Sequence, residues 1–443
     1  MDFLADYVRC AAFIFLLSFK PSEPHLTRYL KEVKRLTDEE VNDRVYPVNT
    51  YASLVVVALL ALTKLAGFLG LGRLRCLSDK LLILVGCAGR VATRLLLLFG
   101  DSVGAMQLMQ VTFSVGLVAE VVFYAYCLKV VPPGQSQRLT AVVQASYLVA
   151  HTAAGVLGDG LLRWTGVGLV GLMWVSALSV AVAAAVACGL RGVDPDTPLE
   201  VARPVSVLRA VYSARSFGLS SLWWCLNYAV YMTVYGYESS LYSAHIKGPD
   251  NNGTIFAVGL LAGSACALLL SSKPIELAAS SRPVPTLVAL GAIMAFMTAL
   301  MGWAPDRELL LGISFAAFFT AWSFANTLFY GETGRVVVCA ALDPALSRLV
   351  DLHDADSQAV FRGALSTRLV STVFVLNSAV GMLVNGLLAA VLFAWLRLDV
   401  DVAFGEVAVG QGLAAVLVLG LAALASLRVG TGGPRRGAGA LEL

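Results

Sequence analysis

The sequence predicts an all-α polytopic membrane protein, with 12 transmembrane helices arranged as two six-helix bundles. Three observations lead there. Of 443 residues, 58% are hydrophobic and only 14% charged, with a mean hydropathy of +0.77; soluble domains average about 45–50% apolar and about 25% charged. The apolar residues fall in runs long enough to cross a bilayer as helices, which takes roughly 20 residues. A single long polar break, Arg191 to Arg215, holds Asp194, Pro195, Asp196, Pro198, Glu200 and Pro204 and lies near the middle of the chain.

The first predicted helix begins near Val8 and meets Pro21 and Pro24, which bracket Glu23. Proline removes a backbone donor and clashes with the preceding turn, so this helix should be bent or broken, its freed carbonyls facing a cavity. The apolar run Cys10 to Phe19 resembles a signal-peptide core, but no small-residue cleavage site follows, so it reads as a membrane helix. Lys31 to Arg44 is the expected loop. Helix 2 covers about 47–69, and a short basic loop follows with Arg73, Arg75 and Lys80. Helix 3, about 81–99, carries Arg90 and Arg94, four apart on one face. Helix 4 is Val103 to Leu128, marked at its ends by Asp101 and Lys129. Helices 5 and 6 follow at about 139–157 and 167–190. The second half gives helices 7 (about 217–245), 8 (255–270), 9 (284–303) and 10 (from 309 to about 330). A second polar loop, about 342–362, precedes helices 11 (369–396) and 12 (407–427). The tail after Arg428, rich in Gly and Arg, is expected to be disordered.

Six helices, a polar linker and six more helices is the arrangement of the major facilitator fold, whose halves rock about a site near the bilayer midplane. The chain accordingly divides into an N-terminal bundle (1–190), a cytoplasmic linker (191–215), a C-terminal bundle (216–428) and a cytoplasmic tail (429–443). Lys and Arg concentrate in the loops after even-numbered helices and in the tail, which places both termini in the cytoplasm. In that topology the sequon Asn252-Gly253-Thr254 falls outside, close against helix 8.

Helix 4 holds Glu120 deep inside an apolar run. A carboxylate at mid-membrane costs at least about 2.5 kcal/mol and is kept facing a bundle interior or an aqueous cavity. Phe123 and Tyr124 stand at i+3 and i+4 from it, so a negative charge lies beside aromatic faces, which suits an organic cation. The other reading of Glu120 is a partner for a buried arginine that only holds helices together. In helix 7, Tyr228, Tyr231, Tyr235, Glu238 and Tyr242 recur at helical spacing and form one stripe, with Trp224 and Asn227 beside it. The stripe is either packing or a cavity wall, and Glu238 within it favours the wall. Arg90 and Arg94 are placed to pair with Glu120 or Glu23, or to meet an anionic co-substrate. His25 and His151 are either structural or part of proton coupling. Asn377 and Asn385 either line the site or hold helices together, and DLHDAD at 351–356 reads as a solvated loop face rather than a metal site.

No P-loop, HExxH or Gly-rich turn after a strand occurs, and no nucleophile or acid–base pair stands out, so the chain is not expected to be an enzyme or to need a cofactor. No nucleic-acid signature is present. The eight cysteines form no CxxC pair, which suggests neither a zinc site nor a disulfide framework.

The runs FKPSEPHLTRYL (19–30), LTDEEVNDRVYPVNTYASL (36–54), GDSVGAMQLMQ (100–110) and AEVVFYAY (119–126) resemble the eukaryotic reduced folate and thiamine transporter family. NGTIFAVGLLAGSACALL (252–269) and VFVLNSAVGMLVNGLLAAV (373–391) resemble that family's helices 8 and 11. The resemblance is strongest through helices 1 to 5, loosens after residue 270, and leaves 342–362 as an insertion. It implies a secondary transporter that imports a vitamin across the plasma membrane by alternating access. The family's folate branch has an Arg where this chain has Glu120; its thiamine branch has Glu there, and PSEP in helix 1, as here. The resemblance thus implies thiamine as substrate, its amino and cationic groups held by Glu120 and Glu23. Its rings would stack on Tyr124, Phe123 and the helix 7 tyrosines, Tyr231 and Tyr235 among them. The chain departs from the thiamine branch at Asn49 (Trp in PVWTY), at Phe123-Tyr124 (Tyr-Tyr), at Gln144-Ala145-Ser146 (CRS), at Arg94 (Trp) and at Thr63-Lys64-Leu65 (TDY). Those departures keep a reduced folate or other organic anion, met by Arg90 and Arg94, as the alternative, with a pyridoxine-type carrier or a non-transporting receptor beyond it. The partners implied are the vitamin, the lipid bilayer and a coupling proton or anion.

Overall fold

The computed structural model describes residues 2–69, 78–131, 133–192, 204–213, 215–246, 252–270, 283–342, 355–396 and 398–430. Helix α1 (Asp2–Ser18) stops short of Pro21, and a 3-10 turn at Glu23–His25 leads into the short α2 (Leu26–Glu32). The break falls where proline chemistry requires it. There the Ser22 N–H leaves the helix direction and donates to Ser176 Oγ at 3.1 Å. Helix α3 (Tyr46–Phe68) is entered through a π-helical segment, Glu40–Val45, so much of the stretch expected as a loop, 31–44, is helical. Serine caps start α4 (Asp79–Phe99) and α5 (Val103–Val130): Ser78 Oγ accepts from the Leu81 N–H at 3.2 Å and Ser102 Oγ from the Ala105 N–H at 3.1 Å. Helices α6 (Pro133–Trp164) and α7 (Gly168–Cys188) complete the first half.

The expected polar linker contains a helix, α8 (Pro204–Ser213). Its proline sits at the first helical position, where a missing donor costs nothing, and Val207 and Val211 are buried in the core. Then come α9 (Arg215–His245), α10 (Asn252–Leu270), α11 (Pro283–Trp303), α12 (Glu308–Leu342) and α13 (Ala355–Ala389), which continues as a π-helical segment, Ala390–Trp395. Helix α14 (Val400–Gly430) is the last. Helix α12 runs past its expected end to Leu342, and α13 begins at Ala355, so helix replaces the second margin of the loop predicted at 342–362. Most of DLHDAD and the tail 431–443 lie outside the described residues.

Among the described residues, eight helical segments are long and apolar enough to cross a membrane, the first Glu40–Phe68 and the last Val400–Leu424. Helices α1, α6, α9 and α10 are long but are not among them. Helices α6 and α9 carry His151, Asp159 and Glu238, all buried. Burial is inverted relative to a protein in water. Lys20, Arg90, Arg94 and Asp159 are inside, while Leu59, Leu62, Leu178, Phe296, Leu413 and Val416 face outward, as a lipid surround demands. Trp164, Trp303 and Trp395, at least 80% exposed, each close a helical segment, the position of an interfacial aromatic belt.

Helix α4 packs on α5 and α7, α1 on α6 and α7, and α3 on α5, which makes one bundle. In the other, α9 packs on α11, α13 and α14, and α12 on α10 and α11. The bundles meet along α3 with α13 and α6 with α10. Glycines set the closest approaches. A Cβ on Gly86 would collide with Ala119 of α5, and one on Gly155 with the backbone of Gly253 in α10.

Candidate functional site

A cavity of roughly 270 Å³ lies between the bundles. Its first-bundle wall is ionic. Arg90, on α4, pairs through Nη2 with Glu120 Oε1 on α5. Arg94, one turn along α4, donates from Nη2 to Glu23 Oε1 at 2.5 Å and from Nη1 to Ser22 Oγ at 3.3 Å. Lys20 Nζ stands 3.2 Å from the same Glu23 oxygen. Phe113 lies beneath both cations, its ring centre 4.0 Å from the Arg90 guanidinium and 5.8 Å from Lys20 Nζ. The proline break makes this arrangement possible, since it frees Lys20 and Glu23 from a helical path.

The second-bundle wall is aromatic. On α9, Trp224 stacks on Tyr228 with ring centres 4.7 Å apart, and Tyr231 stacks on Trp322 of α12 at the same separation. Tyr235 continues the stack 5.8 Å from Tyr231, and Trp224 Nε1 donates to Asn326 Oδ1 at 2.9 Å. Glu238 is buried at the end of this wall.

Of the residues singled out from sequence, Glu23, Asn49, Arg94, Glu120, Tyr124, Tyr231, Tyr235 and Glu238 all line the cavity. Phe123 does not. It is fully buried among α1 and α5, its ring centre 4.6 Å from that of Phe13 and 6.0 Å from that of Tyr126. From Glu120, four residues bring Tyr124 nearly back to the same face, while three leave Phe123 turned toward α1. Of the two readings of Glu120, the arginine pair is the one found, yet 24% of its side chain still faces the cavity. Asn49 Oδ1 accepts from Ser53 Oγ at 3.2 Å and Ser114 Oγ at 3.1 Å, and the Tyr124 hydroxyl donates to Gln144 Oε1 at 3.1 Å. Asn385 lines the cavity and accepts from Thr233 Oγ1 at 2.9 Å. Asn377 instead joins helices, accepting from the Tyr212 hydroxyl at 3.0 Å. Tyr242 extends the stripe past the cavity and donates to Glu308 Oε1 at 2.8 Å; Asn227 turns to Gln411 at 2.8 Å. Sequence reasoning missed Phe113, Tyr147, Phe319 and Trp322 as lining residues. The run FFTAWSF in α12 carried two of them, but nothing in its spacing separates a cavity face from a core face.

Beyond the cavity, a polar seam joins the bundles. Asp159, near the end of α6, accepts from the Gly253 N–H at 3.1 Å and the Thr254 N–H at 2.6 Å, and His25 Nε2 lies 3.1 Å from its Oδ1. Thr27 Oγ1 is 2.5 Å from both the Tyr46 hydroxyl and Ser239 Oγ, and Ser240 Oγ donates to Asn42 Oδ1 at 2.9 Å. The sequon threonine, Thr254, also gives its hydroxyl to Asp159. Among the described residues no cluster fit to hold a metal ion occurs.

Residues 2–203 match the reduced folate carrier family. Human thiamine transporter 1 is 33% identical over 186 residues, 42% of this chain and 35% of that protein. Thiamine transporter 2 of Macaca fascicularis is 34% identical over 173 residues, 39% of this chain and 33% of its own length. The reduced folate transporter of Rattus norvegicus is 25% identical over 334 residues, 66% of this chain and 62% of its own. The chain thus spans about a third of the length of the thiamine transporters it matches. Among solved structures, a mutant form of nucleoside transporter NupG superposes with a TM-score of 0.61 at 13% identity, covering 94% of this chain and 99% of that one. A POT family transporter gives 0.60 at 11% identity, covering 94% and 96%. These neighbours share the fold, which is the major facilitator arrangement. The family and the neighbours are membrane transporters rather than enzymes.

Proposed function

We propose that this chain imports a vitamin across the plasma membrane by alternating access, with thiamine as the first substrate to test and both termini in the cytoplasm. The observation that carries the reading is the pairing of walls: fixed carboxylates on one side of a closed-in cavity, stacked rings on the other. A planar heterocycle with a positive charge suits both. Glu120 is paired with Arg90 while keeping part of its surface toward the cavity, and Tyr124, Tyr231 and Tyr235 offer ring faces. The thiamine transporters among the relatives support the same choice.

In this reading residues 1–190 and 216–428 move as two bodies joined through 191–215. The seam of His25, Thr27, Asn42 and Asp159 against Ser239, Ser240, Gly253 and Thr254 supports it, because every member lies near a helix end on one side of the cavity. By alternation of helix direction that is also the side of Trp164, Trp303 and Trp395, and it is the outer side in the proposed topology. The seam closes the outer side and must open for loading. One observation favours a second reading, a folate-type organic anion: the first-bundle wall carries three cations, Lys20, Arg90 and Arg94, against two carboxylates.

The test is competitive uptake in cells lacking their own vitamin carriers, with labelled thiamine and unlabelled thiamine, pyridoxine and folate. Saturable uptake blocked by thiamine and not by folate supports the proposal. Folate uptake without thiamine uptake overturns it in favour of the anion reading. Glu120→Gln should abolish thiamine uptake at matched surface expression, and normal uptake in that variant removes the role given to Glu120.

A further inference from the structure

Helix α10 is capped by a residue of the other bundle. The first N–H groups of a helix have no partner within it. In α10 those of Gly253 and Thr254 donate to Asp159 of α6, at 3.1 and 2.6 Å, and the Thr254 hydroxyl donates there too. Behind the carboxylate, His25 Nε2 stands 3.1 Å from Oδ1, and the two side chains are 0% and 4% exposed. The fit is close. A Cβ on Gly158 would meet the Pro21 carbonyl oxygen at 2.6 Å and His25 Nε2 at 3.3 Å, and one on Gly253 would meet Asp159 Oδ1 at 2.5 Å. His151 lines the cavity, whereas His25 and Asp159 are not among its lining residues.

The other charges around His25 are engaged elsewhere or stand apart from it. Helix α10 carries no Asp, Glu, Lys or Arg. In α2, Arg28 pairs with Glu32 at 2.8 Å and Lys31 pairs with Asp38. On the segment of His25 itself, Lys20 lies 3.2 Å from Glu23, which also takes Arg94. In α6, Arg163 is exposed one turn beyond Asp159, and His151 lies about two turns before it. Asp159 is thus the acid set against His25. Its donors from α10 are neutral, and a buried carboxylate is costly to hold without a counter-charge. An imidazolium at this distance supplies one, and imidazole in water ionises near about pH 6.5.

We propose that His25 and Asp159 form a proton-operated latch on the outer gate: the closed seam holds a proton on His25, and opening releases it. The inference rests on the transport reading above and adds the regulation of its gate. Because the pair sits on the outer side and off the cavity, the proton comes from the outer medium and returns to it. It sets the gate without being carried with the cargo. The extra stability of the closed state is therefore complete below about pH 6.5, where the open form is protonated too, and fades as pH rises above it. One proton changes the closed-to-open ratio by at most about tenfold per pH unit.

The experiment uses the purified full chain and needs no vitamin. Spin labels at Trp164→Cys and Trp303→Cys, on the outer ends of opposite bundles, report the distance across the seam between pH 8 and 6. The background has the native cysteines replaced by serine, and the melt of each variant controls for folding. Amide exchange across the first turn of α10 in the unmodified chain, corrected for its intrinsic pH dependence, is the second readout. As pH falls, the short-distance population and the protection of that turn should rise together, by about threefold or more over the range. His25→Gln keeps a donor but cannot take the charge, and it should flatten both responses. Asp159→Asn should flatten them with the seam more open. Opening on acidification, no change in either readout, or a pH response that survives in His25→Gln overturns the proposal. Thiamine or folate uptake by a chain whose seam ignores pH sinks this inference alone. A pH-driven seam in a chain that carries neither sinks the transport reading and leaves the latch.

Discussion

The two walls of the cavity are held in place by different forces, and they differ in how much one residue matters. On the first-bundle side, Lys20, Glu23, Arg90, Arg94 and Glu120 are fixed by one or two charged contacts each. On the second-bundle side, Trp224, Tyr228, Tyr231, Tyr235 and Trp322 hold one another through many overlapping ring contacts. Removing one partner of a buried ion pair leaves an uncompensated charge, whereas removing one ring from a stack leaves neighbours that are still in contact. The ionic wall should therefore be brittle and the aromatic wall tolerant.

The largest expected effect tests the brittle side. Glu120→Gln strands Arg90, and breaking such a pair costs about 3–5 kcal/mol, so the purified variant should melt well below the wild type as well as lose uptake. Arg90→Met/Glu120→Leu, which removes both charges, should recover most of the lost Tm and none of the uptake. A double variant that melts as low as the single one would mean that the pair is not what the stability depends on.

Next comes the seam that closes one side. Asp159→Asn removes the charge that accepts from Gly253 and Thr254 and faces His25. Charge-assisted bonds are worth about 1.5–3 kcal/mol, enough to shift the balance toward the open state by an order of magnitude or more. The expected readout is faster modification of a cysteine introduced at Asn49 by an impermeant thiol reagent applied outside cells, in a background with Cys188→Ser. Unchanged labelling would remove the seam from the gating argument.

The tolerant side should respond less. Trp322→Ala removes the ring stacked on Tyr231, and with aromatic pairs worth about 0.5–1.5 kcal/mol the KM should rise by roughly 2- to 10-fold while Vmax holds. A complete loss of uptake would erase the contrast between the walls. The smallest effects separate two neighbours. Tyr124→Phe loses the bond to Gln144, about 0.5–1.5 kcal/mol, and should raise KM a few-fold. Phe123→Leu, packed against Phe13 away from the cavity, should lower Tm slightly and leave KM unchanged.

These contrasts also mark how far the residues could be read without coordinates. Glu23, Glu120, Arg90 and Arg94 announced themselves because charge in an apolar run has few places to go. Glu120 and Glu23 stood as candidate partners of the two arginines, but which takes which did not follow, since spacing along one helix fixes a face but not which helix that face meets. The stripe on α9 was legible as a stripe for the same reason, and its split into a cavity portion and Tyr242, bonded to Glu308, was not. Phe123 was misplaced because i+3 and i+4 neighbours share a face only loosely, and α1 lies on the side to which Phe123 turns.

The sequence by itself determined that the chain is helical and lives in a membrane, that it breaks at Pro21 and Pro24, and that a few ionisable side chains must be gathered inside. Those follow from local backbone chemistry and from the cost of polar groups in lipid, which act wherever the residue sits. Only the tertiary structure decided that Arg90 takes Glu120, that Arg94 and Lys20 share Glu23, that Trp322 completes the aromatic wall, and that Asp159 ties the two bundles together. Apart from Lys20–Glu23, three residues apart, each of these joins segments well separated in the chain, and the packing of helices alone brings such segments within a hydrogen bond's reach.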